Sequence, residues 1–147
     1  MIALRPATIE DLDLLDHWHQ QPHVIAASGS NWGWAKELSR ALAWREQLIA
    51  ECDGRPIGFL QIIDPAEEDS HYWGKIAPGF RAIDIWIGDA ADIDKGHGTA
   101  MMNLALARCF SSDQVHAVLV DPRADNLRAH RFYERLGFKM MASVRQR

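Results

Sequence analysis

The spacing of apolar residues predicts a short strand and two helices in the first third of the chain. Residues 2–4 are an apolar start typical of a strand. Thr8 and Asp11 have the spacing of a capping box, and they open a helix over residues 9–18. Apolar positions at helical spacing continue from about residue 35 to residue 48, which predicts a second helix over 35–48.

The rest of the chain alternates between apolar strands, turns and two further helices. The sequence Asp53-Gly54-Arg55-Pro56 is a hairpin signature between two apolar runs. After the hairpin, residues 65–80 show no period and predict a long loop, a feature that is often functional in a compact domain. The predicted elements are strands over 49–52, 57–63, 82–87, 117–120 and 138–144, and helices over 99–110 and 126–136.

This order of elements predicts an α+β domain. One strand, two helices and antiparallel hairpins precede a second half of alternating strands and helices, which is parallel in part. Parallel crossovers place ligands at the carboxyl ends of the strands. The 147 residues fall in the range of one domain, and 48% hydrophobic residues suffice for one core. We therefore expect a single domain over residues 1–147.

Composition narrows the class of protein without identifying it. The formal net charge is −4, with acidic residues gathered at 64–69 and 84–94. This balance argues against nucleic-acid binding and fits a cationic partner, although it is also usual for a soluble protein. No long apolar stretch or signal-like N-terminus is visible, and two cysteines are too few for a disulfide framework. We expect a cytoplasmic protein that does not bind membranes.

The most specific local feature is the glycine turn Asp94-Lys95-Gly96-His97-Gly98-Thr99. It lies between a predicted strand and a predicted helix, where main-chain N–H groups can hold phosphate oxygens. A dinucleotide fingerprint would need a third glycine at Met101, and a P-loop would need Gly-Lys-Ser/Thr after a longer gap, so both nucleotide motifs are excluded. A coenzyme pyrophosphate remains as the ligand, and a plain helix-entry turn remains as the structural alternative.

A second segment, residues 121–138, contains the motif Asn-x-x-Ala-x-x-x-Tyr-x-x-x-Gly-Phe, which begins at Asn126. The segment resembles the second coenzyme A motif of the GNAT acetyltransferases at every anchor position. The glycine turn is similar to the pyrophosphate loop of the same family, with Ile93 in place of the family's Gln or Arg. Within that family, residues 55–138 are most similar to the aminoglycoside 6′-N-acetyltransferases.

The resemblance implies a GNAT fold, in which a mixed central sheet of about six to seven strands is flanked by about four helices. The family usually continues into one more strand than this chain, so we expect the last strand to be missing or supplied by a partner, in a monomer or a homodimer. The resemblance also implies that acetyl-CoA is the acyl donor and CoA a product. The pyrophosphate of the coenzyme would be held by main-chain groups of Lys95, Gly96, His97, Gly98 and Thr99.

Acetylation of an amine needs a base that frees the amine and an acid that protonates the departing thiolate. Tyr133 matches the family's usual acid, and its alternative role is that of a core tyrosine. Asp84 lies in an apolar strand, where a carboxylate is costly unless it is paired or working. By resemblance it is the base or the amine anchor; alternatively it faces solvent. The resemblance assigns coenzyme contacts to main-chain groups of Trp86 and Ile87 and to Asn126, which shares a helix face with Tyr133.

The candidate groups for the acceptor are acidic or aromatic. Asp121 resembles the acid that contacts the aminoglycoside in the family, or it is a turn residue. Glu67 and Trp73, in the predicted loop, would bind an ammonium group and stack on a sugar ring, or they belong to an ordinary solvated loop. Trp32 forms a substrate wall by resemblance and part of the core by its residue type.

Metal and nucleophile chemistry find no support in the sequence. His17, His19 and His23 share no helical face, and Cys109 has no neighbouring base motif, so we expect no metal and direct transfer in a ternary complex. The sequence thus predicts an acetyl-CoA-dependent N-acetyltransferase of a cationic small-molecule amine, with an aminoglycoside as the acceptor that the resemblance favours. The alternatives are a siderophore-precursor lysine or a protein amine as acceptor, and a non-catalytic acyl-CoA-binding module.

Overall fold

Five strands, numbered in chain order, form one mixed sheet in the computed structural model, which describes residues 1–30 and 32–139. The strands are β1 (Ile2–Pro6), β2 (Arg45–Cys52), β3 (Arg55–Ile63), β4 (Phe80–Ile87) and β5 (Ala117–Leu119). The helices are α1 (Leu12–Trp18), α2 (Pro22–Ser28), α3 (Trp34–Leu38), α4 (His97–Phe110) and α5 (Leu127–Arg135), with 3₁₀ turns at Ile9–Asp11 and Ala90–Asp92. This arrangement confirms the predicted α+β class.

The spatial order of the strands is their chain order. The first four strands are antiparallel neighbours, whereas β5 pairs parallel to β4 after the α4 crossover. That parallel pairing extends only from Phe80 opposite Ala117 to Ala82 opposite Leu119. Beyond Ala82 the two strands have no paired residues, so the carboxyl half of β4 has a sheet neighbour on one side only.

The two faces of the sheet bury separate cores. Because successive side chains of a strand point to opposite faces, each strand contributes to both. On one face, aliphatic side chains pack against α4 and are accompanied by partly buried residues of α5: Leu48, Ala50, Leu60, Ile62, Ile83, Met101, Met102 and Ala105. On the other face, an aromatic-rich cluster packs against α1, α2 and α3: Leu15, Trp18, Val24, Trp34, Ile49, Phe59 and Trp86.

The predicted helix over residues 35–48 is wrong. The helix ends at Leu38, and β2 begins at Arg45, where the chain pairs with β3. The apolar residues that suggested helical spacing lie partly in a strand, because Leu48 sits opposite Leu60 and is buried with it on one face. Tertiary pairing therefore outweighs the local pattern, as is common for strands.

Helix α2 lies within residues 19–34, for which the sequence predicts neither a helix nor a strand. Pro22 occupies the first turn of α2, where its fixed φ suits a helix and the missing N–H has no intrahelical partner in any case. The helix ends at Ser28, and the N–H of its C-cap residue, Gly29, donates to the carbonyl of Ile25 at 2.8 Å. This second short helix completes the cover over the aromatic core.

Two other local predictions are confirmed. Thr8 and Asp11 form the capping box, in which the Asp11 carboxylate accepts from the Thr8 N–H at 2.8 Å. Helix α5 ends before Gly137, which adopts φ of 95°. Within the predicted last strand over 138–144, Phe138 and Lys139 are in neither a helix nor a strand, and residues 140–144 lie outside the described residues.

A glycine contact at the end of β4 generates a stability prediction. A Cβ added at Gly88 would lie 2.1 Å from a ring atom of the buried Trp18, so Gly88→Ala forces the indole to move. We expect a loss of about 1–3 kcal/mol in the free energy of unfolding, measured by urea denaturation. Gly98→Ala is the control, because its added methyl group meets Phe132 at 3.4 Å. Equal effects of the two substitutions would contradict the prediction.

Candidate active site

A cleft opens where β5 leaves β4, and it brings together four of the residues singled out from the sequence. Asp84 comes from β4, Asp121 follows β5, and Asn126 and Tyr133 belong to the cap and body of α5. The remaining wall includes Ala27 and Ser28 at the end of α2, Ile83 and Ile85 on either side of Asp84, and Pro122 and Ala129. The cleft thus lies at a topological break of the sheet, where α/β folds commonly bind ligands.

Asp84 is a carboxylate in a protein-lined cleft. Its Oδ2 accepts a hydrogen bond from the Gln61 Nε2 at 2.7 Å. Solvent reaches the side chain through the cleft mouth, yet the surrounding protein atoms raise the pKa of the Asp84 carboxyl by desolvation. Gln61 opposes that rise, and the negative charge of Asp121 adds to it. Asp84 therefore holds a proton more readily than an ordinary aspartate, a property that suits a base.

Tyr133 approaches Asp84 from the helix on the opposite side of the sheet. Its ring packs edge-on against Phe132 and Phe138, with centroid separations of 5.2 and 5.6 Å. Burial raises the pKa of the Tyr133 phenol above its ordinary value, and the charge of Asp84 raises it further. The hydroxyl therefore stays protonated at neutral pH and is able to donate a proton. Tyr133 is both packed against the core and part of the cleft wall.

The glycine turn precedes α4 in a left-handed conformation. Gly96 is the N-cap residue, with φ of 81° and ψ of 2°, a region that glycine adopts without steric cost. No side chain caps α4, and the first main-chain bond across its start runs from the Ala100 N–H to the Gly96 carbonyl at 3.2 Å. The N–H groups of His97, Gly98 and Thr99 thus form an uncapped helix N-terminus, a geometry that favours an anion.

Two ion pairs attach this turn to the rest of the fold. Arg55, at the start of β3, donates from both terminal nitrogens to the two oxygens of Asp92, each at 3.0 Å. Asp92 is buried, and its hydrogen bonds with Arg55 lower the pKa of its carboxyl. Asp94 pairs with Arg128 in the first turn of α5. Ile93, between these anchors, is the C-cap of the preceding 3₁₀ turn.

The main-chain N–H and carbonyl groups of β4 point alternately to the two edges of the strand. The Gly88 N–H donates to the Ile57 carbonyl at 2.9 Å, and the antiparallel alternation then directs the main-chain groups of Trp86 toward Phe59. Those of Ile87 face the edge that β5 has left. The Ile87 carbonyl accepts from the His23 Nε2 at 2.8 Å. Of the two residues proposed from sequence to contact the coenzyme, Ile87 has its main chain on the cleft side.

The acceptor candidates occupy different environments. The Asp121 carboxylate accepts from the Tyr72 hydroxyl, and Trp73 lies edge-on to the Tyr72 ring at 5.7 Å, so the loop between β3 and β4 reaches across to β5. Glu67 is exposed on that loop. Trp32 donates from Nε1 to the Ser28 carbonyl at 2.8 Å and is half-buried. Its ring stacks on a buried tryptophan at the start of α3, Trp34.

The acidic run in the loop between β3 and β4 is mostly paired within the protein. Asp64 forms an ion pair with Arg81 at 3.4 Å, and Asp69 lies 3.8 Å from Arg40. The Glu68 carboxylate accepts from main-chain N–H groups of the same loop, including that of Tyr72 at 2.8 Å. Asp64 and Glu68 therefore shape the loop, whereas Glu67, which was predicted to bind an ammonium group, is exposed on it.

Sequence analysis missed three polar residues at the site. Gln61 contacts Asp84, Tyr72 contacts Asp121, and His23 contacts Ile87. Gln61 and Asp84 are cross-strand partners, so the strand register would have been needed to connect them. Tyr72 directly precedes Trp73, which was predicted to stack on the acceptor, and no motif in the sequence marks Tyr72 itself. His23 lay in a helix that was not predicted.

Residues 1–30 and 32–139 contain neither a cluster of metal-binding side chains nor a helix suited to a bilayer. Within these ranges no three His, Cys, Asp or Glu side chains come together in a way that could hold a metal ion. In the same ranges, none of the helices has both the length and the apolar character that crossing a membrane requires. Cys52 and Cys109 are free thiols, and burial raises the pKa of the Cys109 thiol to about 11.

Comparison with known proteins assigns the family. A family model for the acetyltransferase (GNAT) domain matches residues 8–145. The chain therefore belongs to the GNAT acetyltransferases and is an N-acetyltransferase by class, as its sequence resemblance predicted. Enzymes of this family use acetyl-CoA as the acyl donor.

Individual relatives align with nearly the whole chain. The chain is 29% identical to the aminoglycoside N(6′)-acetyltransferase type 1 of Klebsiella pneumoniae over 97% of its length and 76% of the relative's. It is 26% identical to the lysine N-acyltransferase MbtK of Mycobacterium tuberculosis, over 95% and 69% of the two lengths. A crystal structure of aminoglycoside acetyltransferase AAC(6′)-Ib with coenzyme A and kanamycin superposes with a TM-score of 0.85 at 28% identity, covering 96% of this chain and 86% of the other.

The environment of Tyr133 generates a spectroscopic prediction. Tyr72→Phe leaves Tyr133 as the sole tyrosine, so tyrosinate absorbance then reports one group. We expect its midpoint to lie above the ordinary value of about 10, because burial and the Asp84 charge both disfavour the phenolate. Adding Asp84→Asn removes the negative charge and should lower the midpoint. A midpoint at or below about 10, unchanged by Asp84→Asn, would contradict this account.

Proposed function

We propose that this chain transfers the acetyl group of acetyl-CoA directly to the 6′-amine of an aminoglycoside, within a ternary complex and within one domain spanning residues 1–147. The observation that carries the proposal is the meeting of Asp84 and Tyr133 in the cleft between β4 and β5. Two similar proteins support the choice of donor and acceptor. One is an aminoglycoside N(6′)-acetyltransferase, and the other is an aminoglycoside acetyltransferase solved with coenzyme A and kanamycin.

The residues around the cleft fit a coenzyme with a pyrophosphate. The uncapped start of α4, with Gly96 in its left-handed conformation, offers main-chain N–H groups from Lys95 to Thr99 to phosphate oxygens. The Asn126 Oδ1 caps α5 by accepting from the Ala129 N–H at 3.1 Å, so its amide NH₂ remains for the coenzyme arm. Ile87 supplies main-chain groups at the unpaired edge of β4, and Trp86 supports that edge from the core. When bound, acetyl-CoA supplies the thioester carbonyl that the amine attacks.

Asp84 and Tyr133 divide the proton transfers. An aminoglycoside amine is mostly protonated at neutral pH, so it has to lose a proton before it attacks. Asp84 anchors the ammonium group and takes that proton, directly or through water, which its raised pKa favours. Tyr133 donates its phenolic proton to the departing thiolate sulfur, and its raised pKa keeps that proton in place beforehand. No covalent enzyme intermediate is required.

The acceptor is held by the residues around the cleft mouth. Asp121 offers a carboxylate beside the Tyr72 hydroxyl, and Glu67 adds an exposed negative charge on the neighbouring loop. Trp73 and Trp32 provide partly exposed ring faces for sugar rings. The net charge of −4 favours approach by a polycation.

A lysine-type acceptor is the second candidate, because the lysine N-acyltransferase of Mycobacterium tuberculosis aligns over 95% of this chain. A panel of aminoglycosides, lysine derivatives and lysine-containing peptides, scored by release of free thiol, separates these acceptors. Turnover of a lysine derivative or a peptide amine alone would move the function to that candidate. A chain that binds CoA without turning over any amine would be an acyl-CoA-binding module.

Removing either proton-transfer group tests the mechanism. Asp84→Asn and Tyr133→Phe should each lower kcat about 10²–10⁴-fold, because each removes one general acid or base. Steady-state kinetics with kanamycin and acetyl-CoA measure the effect. Asp113→Asn, an exposed carboxylate after α4, is the matched control for the first change and should leave kcat unchanged. Tyr72→Phe is the control for the second and should act on KM.

Unchanged kcat in both Asp84→Asn and Tyr133→Phe would remove the assigned roles. A loss in one variant only would leave a single proton-transfer group. In either case the binding of CoA, measured by calorimetry on the same variants, shows whether the coenzyme still occupies the cleft.

The glycine turn generates a separate prediction for coenzyme affinity. Gly96→Ala places a Cβ on a residue with φ of 81°, which costs about 1–2 kcal/mol or distorts the turn. We expect the Kd for CoA, measured by calorimetry, to rise about tenfold. Gly33→Ala carries a similar penalty at φ of 67°, before α3, and is the control, since it should leave the Kd unchanged. Equal affinities of the Gly96→Ala variant and the parent would contradict a pyrophosphate site at this turn.

A further inference from the structure

Gln61 is a buried amide that has no role in the proton transfers described so far. It lies in β3, is 7% exposed, and its side chain touches the Asp84 carboxylate. We propose that Gln61 is a positioning residue, which holds one oxygen of Asp84 so that the other oxygen faces the acceptor amine. This inference rests on the proposed function of Asp84.

A polar ladder across three strands places Gln61 beside Asp84. Gln47 in β2 lies opposite Gln61, and Gln61 lies opposite Asp84 in β4. Directly opposite residues of antiparallel strands point to the same face of the sheet, so the three side chains form one row. The row lies on the aromatic-rich face, where Phe59 and Trp86 are the buried neighbours along the same strands.

The ladder also selects one orientation of the Gln61 amide. Its Nε2 donates to the Asp84 Oδ2 at 2.7 Å, while its Oε1 accepts from the Gln47 Nε2 at 3.4 Å. A flipped Gln61 would set its own oxygen against the carboxylate and its NH₂ against the NH₂ of Gln47. Because a buried polar group without a partner costs about 1–3 kcal/mol, both neighbours favour the donating orientation toward Asp84.

The hydrogen bond leaves Asp84 with one oxygen for the amine. In the described residues Oδ1 has no hydrogen-bond partner, whereas Oδ2 is held by Gln61. An unheld carboxylate in this cleft would rotate freely about its last torsion, since that torsion is broad in aspartate. Gln61 therefore fixes the direction in which Asp84 accepts a proton, and proton transfer depends on such alignment.

The same hydrogen bond tunes the charge of Asp84. Desolvation by the surrounding protein atoms and the negative charge of Asp121 raise the pKa of the Asp84 carboxyl, and the Gln61 hydrogen bond lowers it. Asp121 and Tyr133 are the titratable groups that face Asp84 from the other walls of the cleft, while Ala27 and Ser28 of α2 carry no charge. Without Gln61, Asp84 would keep its proton to higher pH, so it would accept a proton from the substrate only above that higher pH.

The test is the pH profile of kcat/KM in Gln61→Met, which keeps the length of the side chain and removes its donor. We expect the acidic limb, where Asp84 must be ionised, to move upward by about one pH unit, with about a tenfold loss of kcat/KM below that limb. Gln47→Met removes only the hydrogen bond that the Gln61 Oε1 accepts. It should therefore move the acidic limb in the same direction as Gln61→Met, but by less. In the Asp84→Asn background, Gln61→Met should change neither kcat nor the profile further.

A second variant and a second measurement keep the inference testable if Gln61→Met folds poorly. Gln61→Glu preserves size and polarity and places a second carboxyl beside Asp84, so it too should move the acidic limb upward. Carbon-13 NMR of labelled aspartate carboxyls, assigned by comparison with Asp84→Asn, follows the titration of Asp84 without substrate. We expect the midpoint of Asp84 to rise in both Gln61 variants.

The outcomes separate the two proposals. A pH profile and an Asp84 titration that superpose on those of the parent in folded Gln61 variants would overturn the inference and leave the role of Asp84 intact. If Asp84→Asn itself keeps full activity, the proposed function of Asp84 fails, and the NMR titration alone then decides whether Gln61 controls that carboxyl. A merely structural Gln61 would change the midpoint of unfolding and move neither profile.

Discussion

The early separation of β5 from β4 is the constraint on which the rest of the site depends. Pairing between these strands stops at Ala82, although β4 continues to Ile87. Alternate residues of the unpaired part of β4 direct their main-chain N–H and carbonyl groups to this edge, and such groups need partners. The same break lets side chains from opposite faces of the sheet approach each other, which a continuous sheet would keep apart. Asp84 and Tyr133 meet in this gap.

The chemistry of the gap is sustained at some cost in stability. The ionised form of a carboxyl with a raised pKa has a higher free energy in the folded chain than in the unfolded chain. Asp84 therefore disfavours folding above the pH at which an ordinary aspartate ionises. The hydrogen bond from Gln61 offsets part of this cost. The packed aromatic core beneath it, with Phe59 stacked on Trp86 at 5.0 Å, holds the strands in register and keeps the two groups aligned.

The sequence predicted the local patterns of the candidate site and missed its contacts between strands, and the reason is geometric. The glycine turn, and the pair Asn126 and Tyr133, are local patterns whose helical spacing fixes their relative placement. Gln61 and Asp84 are 23 residues apart and become neighbours only through strand register, which no local pattern supplies. The false helix over residues 35–48 has a related origin, because Leu48 fits the helical period but is buried through its strand pairing with Leu60.

The clamp between Arg55 and Asp92 has a consequence for the thermodynamics of association. It fastens the segment before the glycine turn to the start of a central strand, so the shape of that turn is set when the chain folds. The conformational entropy of the turn is then lost on folding, so any anion that binds there would meet a preorganised receptor. Affinity at such a receptor is governed by charge and desolvation more than by the ordering of the backbone.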